Sequence, residues 1–180
     1  IRDGVYCRVV AAGDTAGIVT IQPNHNALIL HVPSILSGEL AGLVERARRL
    51  FDLRADPAEI ETDLAHDPML AAALDRIGPG LRVPGAWDRY ETGVRAILGQ
   101  QVSVISATTT AGKIAQRFGN PLPVPEDEPL RWHFPSPERL AEIDLAEARL
   151  MPRQRARAIQ AFSRAVADGS LPLETWPNLS

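Results

Sequence analysis

The sequence has a single cysteine, Cys7, only two methionines and few aromatic residues, and each scarcity excludes something. One thiol cannot close an internal disulfide, so the chain is not a bridged secreted scaffold; it suits a reducing compartment, and a cytoplasmic location is expected. Cys7 and the histidines His25, His31, His66 and His133 show no zinc-ligand spacing, so no metal is expected. Cys7 reads as a small core-facing strand residue and His31 as structural. There is no glycine-rich phosphate loop and no Gly-x-Ser-x-Gly elbow, and no cofactor is expected. No apolar run approaches the roughly 18 residues of a membrane span. The opening Ile1-Arg2-Asp3-Gly4 has no starting methionine, no charged n-region and no apolar h-region, so no signal peptide is visible and the chain reads as a piece of a longer polypeptide. Positive charge is not in excess either: 19 basic against 22 acidic side chains leave a net charge of −3. That excludes a protein that coats nucleic acid by bulk electrostatics. Any such contact must be local, and residues 83–180, with balanced charge, are mildly better placed for it than residues 1–82, which carry the whole deficit.

What is present is a body able to fold. With 180 residues, 45% of them hydrophobic, the chain can bury a core without disulfides or metals. Three short β-branched and aliphatic segments, residues 5–11, 18–22 and 27–32, read as a strand meander; in the third, Leu28, Leu30 and Val32 share one face and Ile29 and His31 the other. Pro23-Asn24-His25-Asn26 is short enough to be a hairpin link. Leu36, Leu40, Leu43, Val44, Ala47, Leu50 and Phe51 fall on one stripe of a long helix expected to cover the sheet, with Glu45 paired to Arg49 on its wet side. Asp56-Pro57 and Asp67-Pro68 are helix starts. Gly78-Pro79-Gly80 and Pro84-Gly85 interrupt the pattern, which places a domain boundary near residue 83.

The second half reads as helical. Trp87, Tyr90, Val94, Ile97 and Leu98 line a helix that Gly99 should end in the left-handed conformation. Ser103 caps the next helix, to about Phe118, whose small residues 106–112 suit close packing. Residues 121–137 hold too many prolines for regular structure and read as a long surface loop. Ser136 and Asp144 can cap two short helices. Pro152 opens a longer one with Ala156, Ile159, Phe162 and Val166 inward, stopped by Gly169.

Two stretches could carry function. Gly99-Gln100-Gln101-Val102-Ser103 is a polar turn between two well-patterned helices, and adjacent glutamine amides can hydrogen-bond base edges. On spacing alone it is also an ordinary connection with solvated amides. Arg149, Arg153, Arg155 and Arg157 gather at a helix start and could hold phosphate, although Asp144 and Glu147 nearby equally suggest a solvated charged face.

Gly93-Val94-Arg95-Ala96-Ile97-Leu98-Gly99-Gln100-Gln101-Val102-Ser103-Val104 resembles the signature of AlkA-type 3-methyladenine DNA glycosylases, within the helix-hairpin-helix superfamily. Arg49-Leu50-Phe51-Asp52-Leu53, Pro79-Gly80-Leu81-Arg82-Val83-Pro84-Gly85, Met151-Pro152 and Arg155-Ala156 extend the similarity along nearly the whole chain. The resemblance implies an α+β fold: a TATA-binding-protein-like antiparallel sheet with helices over residues 1–82, then the first part of an all-α glycosylase domain over 83–180. It implies base-excision repair of double-stranded DNA containing alkylated bases, by a monomer. Gln101 stands where the family pushes a residue into the duplex to fill the space of a flipped nucleotide. Gln100, Val102 and Ser103 flank it as DNA-binding residues, and Arg153 and Arg155 are candidate phosphate contacts. A family member with leucine at that place uses an apolar wedge; Gln101 departs from it. The family's catalytic aspartate, which stabilises the cationic sugar, is expected beyond Ser180, so no residue here is assigned as acid or base. The alternatives are a noncatalytic DNA-binding part of an adaptive-response regulator fused to a glycosylase-like module, and a glycosylase for oxidised bases on the same fold.

Overall fold

The computed structural model describes residues 3–13, 15–124 and 130–173. They form an α+β structure of two compact units: the chain up to Ser37 together with the chain from Asp88 onward, and Gly38–Trp87. The strands are β1 (Tyr6–Ala12), β2 (Thr15–Asn24) and β3 (Ala27–His31), antiparallel in the order β1-β2-β3. The helices are α1 (Leu40–Leu50), α2 (Pro57–Leu64), α3 (Pro68–Ile77), α4 (Arg89–Gly99), α5 (Val104–Phe118), α6 (Pro137–Glu142) and α7 (Arg153–Ala167), with a 3-10 turn at Ser34–Glu39.

In the sheet, Val9 pairs with Ile18 and Ile21 with Leu30. Val10, Val19 and Ile21 are buried, as β-branched side chains on a pleated surface should be. β2 runs on through Pro23, which the sequence reading placed in the link. Proline is tolerated there because pairing with β1 has already stopped at Ile21, so no ladder donor is needed on that side. The turn is only His25-Asn26, with His25 at φ 48°.

The unit of Gly38–Trp87 corrects one expectation. Residues 36–51 are not one helix: Ser34-Ile35-Leu36-Ser37-Gly38 is poor in helix formers, and the Leu36 N–H donates to the Pro33 carbonyl at 2.9 Å in a tighter turn. Leu36 is buried beside Gly17 in the first unit, whereas Leu43 and Ala47 are the buried residues of α1. Glu45 accepts from Arg48 at 2.7 Å and Arg54 at 2.5 Å, not from Arg49. Arg49 is taken up by the chain that returns along it, donating to the carbonyls of Ala86 (3.3 Å) and Trp87 (3.5 Å). A Cβ at Gly85 would lie 2.4 Å from the Arg49 carbonyl oxygen, so only glycine fits this approach. Asp56 and Asp67 cap α2 and α3, accepting from Ala58 N–H and from Met69 and Leu70 N–H. The breaker-rich stretch after α3 is pinned rather than loose: Glu61 accepts from the N–H groups of Gly80 and Leu81, and Arg82 donates to the carbonyls of Asp52 and Ala55.

In the first unit, Asp88 caps α4 by accepting from Glu91 N–H at 2.9 Å. Tyr90, Val94 and Leu98 then share a core with Ala111 and Ile114 of α5, Leu140 of α6, Leu145, and Ala156 and Ile159 of α7. Each large aliphatic side chain buried so contributes about 1.5–3 kcal/mol. A Cβ at Gly93 would stand 2.5 Å from the Phe162 ring, which is how α4 and α7 come close enough for Phe162 to stack on Tyr90 with ring centroids 5.6 Å apart. The Tyr90 hydroxyl shares a hydrogen bond with Ser163 (2.7 Å), and burial pushes its pKa up to about 12. Between α5 and α6 the described parts of the proline-rich loop are not wholly on the surface: Pro121 bridges Trp132, and Leu122, which donates to the Arg131 carbonyl, is buried. Residues 125–129 of that loop lie outside the described residues. Asp144 caps a single turn, not a helix, accepting from Ala146 and Glu147 N–H.

β1 is tied to α4 by charge. Glu91 is buried and accepts from Arg8 of β1 and from Arg95 one helical turn on (2.7 Å). Burial opposes the Arg8 charge, but Glu91, with smaller help from Tyr6 and Asp88, outweighs it and raises the arginine pKa. Removing one partner of such a pair leaves the other charged and half desolvated. We therefore expect Glu91→Ala to lose about 3 kcal/mol in urea denaturation; a loss under about 0.5 kcal/mol would show that the pair is idle.

His133 lies near the same charges. Burial, then the Arg8 guanidinium, hold its pKa below the ordinary 6.5, while Asp88 and Glu91 pull weakly the other way. The unfolded chain therefore takes up a proton first as pH falls through 6.5, so stability present above that pH is lost on acidification toward the folded value. We expect the urea midpoint to drop between pH 7.5 and pH 5.5 by less in His133→Gln than in the unaltered protein. Equal drops would remove His133 from the account.

Candidate nucleic-acid interface

The polar turn is built by the way α4 stops. Gly99 remains helical, Gln100 turns out into an extended conformation (φ −63°, ψ 120°), and Gln101 takes the left-handed region at φ 57°. The sequence reading gave that role to Gly99, where it would have been free of steric cost; at a glutamine the conformation costs about 1–2 kcal/mol. Ser103 then caps α5, its hydroxyl accepting from Ser106 N–H at 3.2 Å. Gln100, Gln101, Val102 and Ser103 are all exposed.

Beyond them, Val104 and Ile105 are 81% and 79% exposed. Neither is among the candidate site residues read from the sequence, although Val104 closes the Gly93 to Val104 segment. Ile105 was the available signal, because it falls opposite the α5 stripe of Ala107, Ala111, Ile114 and Phe118. The turn thus presents two amides flanked by apolar side chains in water, a surface able to hydrogen-bond flat polar edges and to cover apolar faces.

The two candidate stretches meet. Arg155, in the first turn of α7, donates from Nη2 to the Gln100 carbonyl at 2.7 Å across 55 residues of sequence. Ile97, Gln100, Gln101, Pro152, Gln154, Arg155 and Ala158 line an open groove of about 320 Å³. Arg153 and Arg157 are exposed on the same helix, and Arg149 stands at φ 54° before it. The start of α7 has neither a side-chain cap nor an acidic residue in its first turn. Among the described residues no ion pair joins Asp144 or Glu147 to these arginines, and the Asp144 carboxylate is used as a cap. The face is therefore a cationic helix start beside an amide-bearing turn.

Glu91, the one buried carboxylate among the described residues, is saturated by two arginines. No group of three or more His, Cys, Asp or Glu among the described residues could hold a metal ion, and no described helix is long and apolar enough to cross a membrane.

Comparison with known proteins places this arrangement in a lineage. Residues 1–88 match the family model of the AlkA N-terminal domain, and residues 94–176 match that of the HhH-GPD superfamily base excision DNA repair proteins. The chain is 36% identical to DNA-3-methyladenine glycosylase 2 of Escherichia coli, over 96% of this chain and 59% of that protein. It is 38% identical to a probable bifunctional transcriptional activator/DNA repair enzyme AlkA of Mycobacterium tuberculosis, over 97% of this chain and 34% of that one. The chain thus spans between a third and three fifths of these relatives. Among solved structures, MBOgg1 in complex with a low affinity DNA ligand aligns with a TM-score of 0.71 at 26% identity, covering 96% of this chain and 56% of that one. The 3-methyladenine DNA-glycosylase of Archaeoglobus fulgidus shares the fold, with a TM-score of 0.72 at 22% identity over 91% of this chain and 57% of that one. With these two domains in this order and α4, the exposed turn and α5 falling within the second, the chain carries an AlkA N-terminal domain followed by a domain of the HhH-GPD superfamily of base excision DNA repair proteins.

Proposed function

We propose that these residues are the scaffold and duplex-entering part of a monomeric base-excision enzyme that hydrolyses the N-glycosidic bond of alkylated bases, of the 3-methyladenine type, in double-stranded DNA. The observation that carries the reading is Gln101: an exposed glutamine held in a left-handed turn, at the place where the family inserts a residue into DNA. In this reading the Gln101 side chain fills the space of the extruded nucleotide and pairs its amide with the base edges left behind, offsetting an unstacking cost of roughly a few kcal/mol. Gln100, Val102 and Ser103 lie against the same site, and Arg153 takes a backbone phosphate. Bases alkylated to carry positive charge leave readily, so the protein has to expose the bond and stabilise the cationic sugar more than activate the leaving group. Family membership, and the E. coli relative's action on 3-methyladenine that its name states, support the substrate class.

The charge that stabilises the sugar is assigned to residues outside these 180. Support comes from the employment of Glu91 in the Arg8 and Arg95 pairs and from the partial coverage of the relatives. The regulatory alternative is not better supported: the name of the mycobacterial relative joins transcriptional activation to DNA repair, and no residue of this chain speaks for the first without the second.

Incubation of the full-length protein with methylated duplex DNA, scored for abasic sites, tests the reading. We expect release of 3-methyladenine by the full-length protein and none by residues 1–180 alone; release by the latter would place the chemistry inside this chain. Gln101→Ala in the full-length protein should slow single-turnover excision about tenfold and leave the melting temperature within about 2 °C, since an exposed turn residue supports little of the core. Excision at the unaltered rate would return Gln101 to a solvated loop amide.

A further inference from the structure

We infer that Arg155 is a positioning residue for the duplex-entering turn: its guanidinium clasps the Gln100 carbonyl and so holds Gln101 in the left-handed conformation. The inference rests on the reading of Gln101 given above and names what keeps that residue ready.

The turn is short of internal support. The residue suited to a left-handed backbone, Gly99, is spent as the last residue of α4, and the strained position falls on a side chain that pays for it. Within the connection, Gln100 N–H reaches the Ile97 carbonyl only at 3.4 Å, and the Ser103 cap fixes the start of α5, not Gln101. Gln100 and Gln101 are exposed. Among the described residues, the bond from Arg155 Nη2 at 2.7 Å is the hydrogen bond that another element makes to the turn, and it is charge-assisted. Its target matters. The Gln100 carbonyl and the Gln101 N–H belong to one peptide plane, so the plane cannot swing to relieve φ at Gln101 without withdrawing the carbonyl from the guanidinium.

The location of Arg155 points the same way. It is the third residue of α7, near the positive end of the helix dipole, in a first turn without a single acidic residue. A cation there weakens the helix, and the clasp compensates. The helix that bears it is a firm base: Ala156 and Ile159 on its inner face are wholly buried. Arg155 thus transmits the rigidity of the α7 core to a turn that has none of its own.

The test uses the full-length protein with Arg155→Met, which keeps the length of the stem, Arg155→Lys, Gln101→Ala and the Arg155→Met/Gln101→Ala pair. In the free protein, the 15N order parameter of the Gln101 amide should fall from the rigid range, about 0.85, to below about 0.6 in Arg155→Met, with the lysine variant between, since an ammonium can reach the carbonyl as a point donor only. Single-turnover excision of 3-methyladenine should fall about tenfold in Arg155→Met, at a melting temperature within about 2 °C, and the same change made on Gln101→Ala should cost nothing more. Additive losses in the pair would show that Arg155 meets the DNA itself and would overturn the inference. So would a Gln101 amide that stays rigid in both Arg155 variants. Absence of excision by the unaltered protein would sink the proposed function, while the order parameters, measured without DNA, would still decide the clasp. If Arg155→Met does not fold, the lysine variant's order parameter alone decides it.

Discussion

A carboxylate removed from water needs cations beside it, and the first unit is organised around one so placed. Glu91 sits where β1 meets α4, with Arg8 reaching in from the strand and Arg95 from the next turn of the helix. The pair leaves α4 little freedom to rotate, because turning the helix would strand both charges in a poorly solvated place. Everything downstream inherits that orientation: Tyr90, Val94 and Leu98 face the helical core, Gly93 lets Phe162 in, and the end of α4 delivers Gln100 and Gln101 to the surface. Among the described residues, the acid most shielded from solvent is in this sense architectural.

Much of the fold was legible because local chemistry and burial agreed. Asp56-Pro57, Asp67-Pro68, Ser103 and Ser136 each read as a helix start, and each side chain accepts the N–H that the sequence pattern promised. The strand meander was visible from β-branched runs and turn residues. The failures occurred where tertiary contact overrode the pattern. Leu36 belonged to the apolar stripe of a long helix by spacing, yet it is buried beside Gly17, and Ser37-Gly38 lets the chain break to put it there. Arg49 was in register for Glu45, but the returning chain at Ala86 and Trp87 offers it carbonyls instead.

The site was legible in a different way. The polar turn and the arginine cluster could each be seen in the sequence, and a family signature named the first, but nothing in one dimension joins residue 100 to residue 155. Their meeting depends on α4 and α7 packing through Gly93 and Phe162, a contact that no periodicity encodes. Nor could the sequence say which residue of Gly99-Gln100-Gln101 would be left-handed. Propensity favours the glycine; the structure gives the conformation to Gln101, an exposed residue of a short connection. Gly93, by contrast, has a packing reason, since a Cβ there would stand 2.5 Å from the Phe162 ring.

In the function proposed above, labour is divided: the helix bearing Glu91 ends in a strained turn, an arginine from a neighbouring helix hydrogen-bonds that turn, and the exposed glutamine is the residue proposed to enter DNA. A crystal structure of the full-length protein bound to a duplex containing an abasic-site analogue tests this most directly. The account predicts the Gln101 side chain inside the base stack at the analogue, within hydrogen-bond distance of a base edge, with φ at Gln101 still positive and Arg155 still on the Gln100 carbonyl. A complex in which the duplex lies elsewhere on the protein, or in which the stack is closed and Gln101 remains in solvent, would contradict it.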